Sequence, residues 1–199
     1  FTAIGIGNNR SLNIRSDILD ASIKGQYDLN TLPSYFKSVA NKYIPSLGLN
    51  YVKSGIQNFD FSLNIKYFEP VSLLFIKGLK IPEGASFKGK FVSAENIANL
   101  NGSVKFLQYK DYKVNDLIID ESTSADAMNL FITSDRIDIA DSLYIKNINI
   151  ANILRNDSLN LNIKLSDKDA INQLDLNSLV EFNTSGPEMV RLSILTSDV

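Results

Sequence analysis

The chain contains no cysteine, no histidine and no tryptophan. Without cysteine there is neither a disulfide nor thiolate chemistry, and without histidine the commonest general base and the usual imidazole metal ligand are gone. The lack of cysteine fits either side of a membrane and assigns no compartment by itself. Long apolar runs are also missing. The longest, Val71 to Ile76, is interrupted by Ser72 and falls far short of the roughly 20 residues that span a bilayer. No sign of charge prevails: 20 Lys and Arg stand against 22 Asp and Glu, interspersed, for a formal net charge of -2. That balance gives no electrostatic footprint for nucleic acid or an anionic membrane surface. The chain opens on Phe1, with no basic stretch leading into an apolar one, and reads as an internal segment or a processed product.

What is present is alternation. Hydrophobic residues make up 44% of 199 positions, enough to bury a core in one β-rich segment spanning 1–199. Phe59, Phe61, Leu63, Ile65 and Tyr67 alternate with Asp60, Ser62, Asn64 and Lys66, so a strand here puts its apolar side chains on one face. Leu159, Leu161, Ile163 and Leu165 repeat the pattern against Asn160, Asn162 and Lys164, and shorter versions surround Leu174 with Leu176 and Leu192 with Ile194. Between Leu143, Ile145 and Ile148, Ile150 the phase changes across Lys146 and Asn147. A bulge or tight turn there would keep both halves on the same core. Gly84 with Pro82, Gly102, and Ser185-Gly186-Pro187 are the turn signals, and Gly5-Ile6-Gly7 reads as a backbone kink.

One stretch follows a different period. Leu32, Phe36, Val39, Ala40, Tyr43 and Leu47 recur at helical spacing, Pro33 sits where a first helical turn tolerates it, and Pro45 limits the far end. This predicts one short amphipathic helix over about residues 32–44, with Lys37, Asn41 and Lys42 outward. An echo links Asp141-Ser142-Leu143 to Asp157-Ser158-Leu159, sixteen positions on, each followed by alternating aliphatic and Asn residues; either a repeat or chance similarity among strand patterns explains it.

Chemically suggestive groupings are few. Ser34-Tyr35-Phe36-Lys37 has the Ser-x-x-Lys spacing that sets a nucleophile beside an amine, but the companion Ser-Asp-Asn and Lys-Thr-Gly elements are missing and helix polarity explains both residues. Asp135, Asp138, Asp141 and Asp116, Asp120, Glu121 lack the loop glycine of an EF-hand, and exposed strand and turn positions account for them. Asn101-Gly102-Ser103 matches the glycosylation pattern, which an Asn- and Ser-rich chain produces by chance. The reading is therefore non-enzymatic, with no cofactor, no metal and no nucleic-acid partner. The apolar face could be an ordinary sandwich core or the lining of an open groove.

The run Ile23-Lys24-Gly25-Gln26-Tyr27-Asp28-Leu29, then Thr31-Leu32-Pro33-Ser34-Tyr35-Phe36 and Lys42-Tyr43-Ile44-Pro45-Ser46, resembles the TamB/AsmA-like translocation and assembly proteins, in which a strand ending in Gly-x-Tyr/Phe-x-Leu leads into a Leu-Pro helix and Tyr-x-Pro. Asp157 to Leu161 and Gln173 to Leu176 are similar to the strand repeats of the same group. The resemblance implies a mainly β fold, a long curved antiparallel sheet forming an open, taco-like trough with an apolar interior and one short amphipathic helix. It implies a periplasmic segment of an inner-membrane-anchored, envelope-spanning protein. Such a segment would serve phospholipid transfer or outer-membrane protein assembly, with an outer-membrane barrel-assembly partner engaged by regions outside these residues. The expected lining is Phe59, Phe61, Leu63, Ile65, Leu159, Leu161, Ile163 and Leu165, with Leu32, Phe36, Val39 and Tyr43 as the groove-facing side of the helix, while Asp60, Lys66 and Lys164 face out. The rival reading is an extracytoplasmic β-sandwich adhesin or ligand-binding module that transports no lipid.

Overall fold

The alternating stretches become one meander. A computed structural model describes residues 1–5, 9–53, 55–95, 97–140, 143–167, 172–182 and 190–198. The strands in chain order are β1 (Thr2–Ile4), β2 (Arg10–Arg15), β3 (Leu19–Gln26), β4 (Asn58–Ile65), β5 (Leu79–Lys80), β6 (Ala85–Val92), β7 (Ile97–Tyr109), β8 (Tyr112–Thr123), β9 (Met128–Ala140), β10 (Leu143–Arg155), β11 (Ser158–Ser166), β12 (Gln173–Phe182) and β13 (Val190–Ile194). All pairings are antiparallel, and apart from β5 each strand lies beside its neighbour in sequence order. Among the described residues β1 and β13 do not pair, so the sheet is a single open layer. That removes the second sheet a sandwich needs.

Short turns make the meander possible. Arg155 pairs with Ser158 across Asn156 and Asp157, both at positive φ (46° and 62°), the backbone that a two-residue hairpin matched to strand twist demands. Only two connections are long. The first, between β3 and β4, carries α1 (Leu32–Tyr43) and a turn of 3₁₀ helix (Pro45–Leu47). The second, between β4 and β6, carries α2 (Glu69–Phe75) and β5, which pairs with the part of β7 that outruns the shorter β6.

Helix α1 follows its sequence closely: Pro33 lies in its first turn, and Pro45 begins the 3₁₀ turn that succeeds it. Its length also reveals how far the sheet bends. Leu32 shares a core cluster with Ile23 of β3, while the Tyr43 carbonyl accepts a hydrogen bond from the Asp157 N–H beyond β10. Those two points lie six strand spacings apart, about 29 Å of sheet, yet eleven residues of helix rise only about 16 Å. The sheet curls around α1, which lies as a chord across one end of a trough.

The phase change in β10 is a bulge. The β10–β11 register shifts between Lys146 and Asn149, and Asn147 takes φ 49°. The same change runs through the neighbouring strands: Leu107, Val114, Ile137 and Ile145 are cross-strand partners on one side of it, and Val104 pairs with Leu117 on the other. Leu107 and Leu117 pack against Val104 in one cluster, so both rows share a face. At this crease Asp116 also has positive φ, and the Ser134 hydroxyl donates to the Asn115 carbonyl at 2.6 Å.

Several expectations need correction. Gly102 is no turn but a buried residue in the middle of β7. Tyr67 does not continue the alternation, since β4 stops at Ile65 and Tyr67 is exposed. Helix α2 was unforeseen, because Val71 to Ile76 lacks a polar face to show helical periodicity. Of the echoed segments, Asp141 and Ser142 lie outside the described residues; Leu143 starts β10, whereas Leu159 pairs with Leu154 near its end, so the similar stretches sit at opposite ends of antiparallel neighbours. Ser185-Gly186-Pro187 and Ile6-Gly7 lie outside the described residues as well, while Gly5 has φ 111°.

Candidate functional site: an apolar trough closed at two ends

Cross-strand register arranges the inner side chains in rows. Leu63 lies opposite Phe87, then Gly102, Ile119, Ile132, Ile150, Ile163 and Leu176 on successive strands. Two expected liners, Leu63 and Ile163, thus belong to one apolar row and stand six strand spacings, about 29 Å, apart along the sheet. A second row contains Phe59, Phe91, Ala98, Thr123, Met128, Leu154, Leu159 and Val180. Ile65 pairs with Ala85 in a third row, and Leu165 pairs with Leu174.

Among the described residues the rows are covered at the two ends of the furrow. At the α1 end Tyr35, Phe59, Phe91 and Ala98 form a buried cluster, with Ile23, Tyr27, Leu32, Val39 and Phe61 against it. Phe91 stacks on Phe61 at 5.6 Å between ring centres and meets Tyr35 edge-on at 6.1 Å. At the α2 end Ile81, Ala85 and Val104 are buried beneath Ile65, Phe68, Leu79 and Leu107. Between them Leu63, Phe87, Ile119, Ile132, Ile150, Leu161, Ile163 and Leu176 stay half-buried. Of the eight lining residues expected, Phe59 alone is fully buried, beneath α1; the other seven are half-buried, Phe61 packing into the α1-end cluster and Ile65 into the α2-end cluster. Leu32, Val39 and Tyr43 turn inward as expected, Tyr43 being 1% exposed. Phe36 departs from expectation: its ring touches Phe91 but 45% of the residue is exposed, and Tyr35 takes the buried position. Tyr43 reaches further than packing requires, donating its hydroxyl to the Ser124 carbonyl at 2.8 Å.

The floor is flattened by two glycines. A Cβ on Gly102 would stand 2.7 Å from the Phe87 ring, and one on Gly89 would stand 2.5 Å from the Phe61 ring. Each aromatic lies over the bare backbone of a neighbouring strand, which a larger residue would displace. Phe87, Ile119 and Ile132 escaped sequence reasoning, and Ile150 and Leu176, though read as strand residues on an apolar face, were not named as lining. Gly89 interrupts the alternation of β6, and the consecutive Leu117-Ile118-Ile119 shows no phase by itself; only the register with Leu63 reveals it.

One row is mixed. Phe61 lies opposite Gly89, Leu100, Glu121, Leu130, Asn152, Leu161 and Ser178, so a carboxyl, an amide and a hydroxyl punctuate the apolar floor on alternate strands. Glu121 corrects the view that its acidic neighbourhood consists of exposed positions: Asp120 points outward to Asn101, while Glu121 points inward. Its Oε1 is buried and has no hydrogen-bond partner among the described residues. Burial, helped by the charge of Asp120, pushes its pKa up to about 7. Burial likewise raises the Tyr35 hydroxyl, with Tyr43 and Glu121 adding to the effect.

The outward face carries ion pairs as expected, but it also exposes Ile118, Phe131 and Ile153. Lys164 pairs with Asp175 at 2.9 Å and Lys66 with Asp20 at 2.7 Å, and these contacts hold both carboxyls below their ordinary range. Two recesses are present among the described residues. One, of about 490 Å³, sits on the solvent side of α1; the other, of about 170 Å³, involves Ala151, Ile153, Asn160 and Leu195 and also includes Leu161 and Ser178. Among the described residues no helix is long and apolar enough to cross a membrane. No known family model, curated protein or solved structure matches the chain.

Proposed function

We propose that this chain is a non-catalytic structural segment of a TamB/AsmA-like envelope protein, and that its trough shelters phospholipid acyl chains on their way between membranes. The observation that carries this reading is the single-layer sheet whose apolar inner rows are covered, among the described residues, only at the α1 and α2 ends. A hydrocarbon tail lying along those rows gains about 0.8 kcal/mol per buried CH₂ while its headgroup stays in water at the open seam. The cations and anions of the strands suit this arrangement, since Lys88, Lys164 and Asp60 occupy the exposed alternate positions. Half-neutral Glu121 is the one inward carboxyl described above, and its raised pKa reduces the charge that a passing tail would meet. The proposed compartment is the periplasm, with an anchor and any barrel-assembly partner contributed by regions other than these residues.

The test is a photoreactive residue installed in the living cell at Leu63 or Leu161, compared with Lys88 or Lys164. Lipid adducts are expected at the first pair and not the second; adducts at the lysine positions alone would reject the trough as the lipid path.

A further inference from the structure

The even charge of the whole chain hides a local separation. From Leu29 to Phe59 there is no Asp or Glu in 31 residues, while Lys37, Lys42 and Lys53 are present, so the rest of the chain carries a formal -5 within a total of -2. This acid-free stretch contains α1 and the loop that follows it, the cover of one trough end. It also exposes large apolar side chains: Phe36, Leu47, Tyr51, Ile56 and, most of all, Val52, which is 73% exposed. The fold draws part of the stretch together. The Asn41 amide donates to the Leu49 carbonyl and its side-chain oxygen accepts from the Leu49 N–H, tying the loop to the helix. The resulting recess of about 490 Å³ brings Lys42 and Lys53 beside Tyr51 and Ile56, with Ser38 and Asn41 also in its lining. Two carboxylates border this surface: Asp28, which accepts from the Thr31 hydroxyl, and Asp157, which accepts from the Ser46 N–H.

From this separation of charge we infer that the α1 end of the trough docks on the surface of an anionic lipid bilayer. Exposed apolar side chains enter the headgroup boundary and lysines meet the lipid phosphates, the combination that binds a protein in the plane of a membrane interface. Charge complementarity selects the occupant, because an apolar protein partner would offer no anion to the lysines of this acid-free stretch. The opposite end offers an internal comparison. Tyr67, Leu73 and Ile76 are exposed near α2, but Glu69 and Glu83 stand among Lys66, Lys77 and Lys80. There the acids lie within the covering segment itself, whereas at the α1 end they lie outside it. The inference goes beyond the proposed conduit and does not depend on it: a chain that docked without carrying lipid would refute the conduit and leave this surface intact.

Co-sedimentation of the full chain with vesicles tests it. Binding is expected to an equimolar mixture of phosphatidylcholine and phosphatidylglycerol and to be weaker by on the order of tenfold or more on phosphatidylcholine alone. The Lys37→Gln/Lys53→Gln variant spares Lys42, whose ammonium also holds the Ser124 carbonyl, and is expected to lose most of the preference while keeping its circular dichroism. Val52→Ser should weaken binding to both vesicles, and Leu73→Ser at the α2 end should change neither. Equal binding to the two vesicles, an unchanged preference in the lysine variant, or loss of binding in Leu73→Ser would each overturn the assignment.

Discussion

Glu121 shows how a single side chain can carry a tertiary signature. On β8 it alternates with Asp120 like any strand residue, and nothing adjacent in the sequence distinguishes the inward carboxyl from the outward one. The curl of the sheet under α1 desolvates it and leaves Oε1 without a partner among the described residues. The fold therefore prefers the protonated form. Because the folded pKa, about 7, exceeds the ordinary 4.5, the folded state holds a proton that the unfolded state releases within that interval. Stability attributable to this group is fully present below the lower value and declines as pH rises through the upper one. Glu121→Gln keeps the shape and removes the titration. Its melting temperature is expected to exceed that of the parent by a margin that widens from the acid end of the window to the alkaline end, measured by thermal denaturation in matched buffers. A margin independent of pH would refute the assignment. Asp20 and Asp175 act with the opposite sign, since their lowered pKa values stabilise the fold above the ordinary carboxylate range and that contribution fades as pH falls. The exchange of roles between Tyr35 and Phe36 belongs to this scale too: helical spacing admits either residue, and contact with Phe59, Phe91 and Ala98 selects the first.

At the scale of elements, α1 was the most legible part of the chain. Pro33 and Pro45 punctuate it locally, and its start at Leu32 and end at Tyr43 agree with the expected limits to within a residue. What holds it in place was not legible, because its anchors come from turns far along the chain. Tyr43 bonds to the Ser124 carbonyl between β8 and β9, and the Asp157 carboxylate accepts the Ser46 N–H at 2.8 Å from between β10 and β11. Both anchors offer a measurable energy. Tyr43→Phe is expected to cost about 0.5–1.5 kcal/mol in urea denaturation, the value of a neutral hydrogen bond. Asp157→Gly retains the positive φ that this turn residue needs but deletes a charged acceptor, and is expected to cost about 1.5–3 kcal/mol. If Asp157→Gly left the urea midpoint unchanged, the helix end would be held by packing alone.

The whole molecule adds a property that no element possesses, a continuous open layer. Its middle strands are long and paired on both sides, whereas β1 has three residues, β13 has five, and each has a free edge among the described residues. Backbone amides at a free edge open without disturbing their neighbours. Hydrogen exchange is accordingly expected to be slowest in β7, β8 and β9 and fastest in β1 and β13, with α1 protected through its anchors. Uniform protection across the sheet would indicate that the edges are paired in solution. The long curved sheet and its apolar interior accord with the expectation from the resemblance, and the bulge at Asn147 accords with the phase change across Lys146 and Asn147. Period-2 alternation, the limits set by proline and the shift of phase at a bulge all arise from neighbours within a few positions, so residue order alone determined that this chain would make strands, one amphipathic helix and a crease. Alternation divides a strand into two faces without stating what covers either one. Whether that cover is a second sheet, a helix or solvent depends on register and curvature accumulated over a dozen strands, and so only the tertiary structure decided that Leu63 and Ile163 share an open row, that Gly102 yields space to Phe87, and that Glu121 lies beneath the helix.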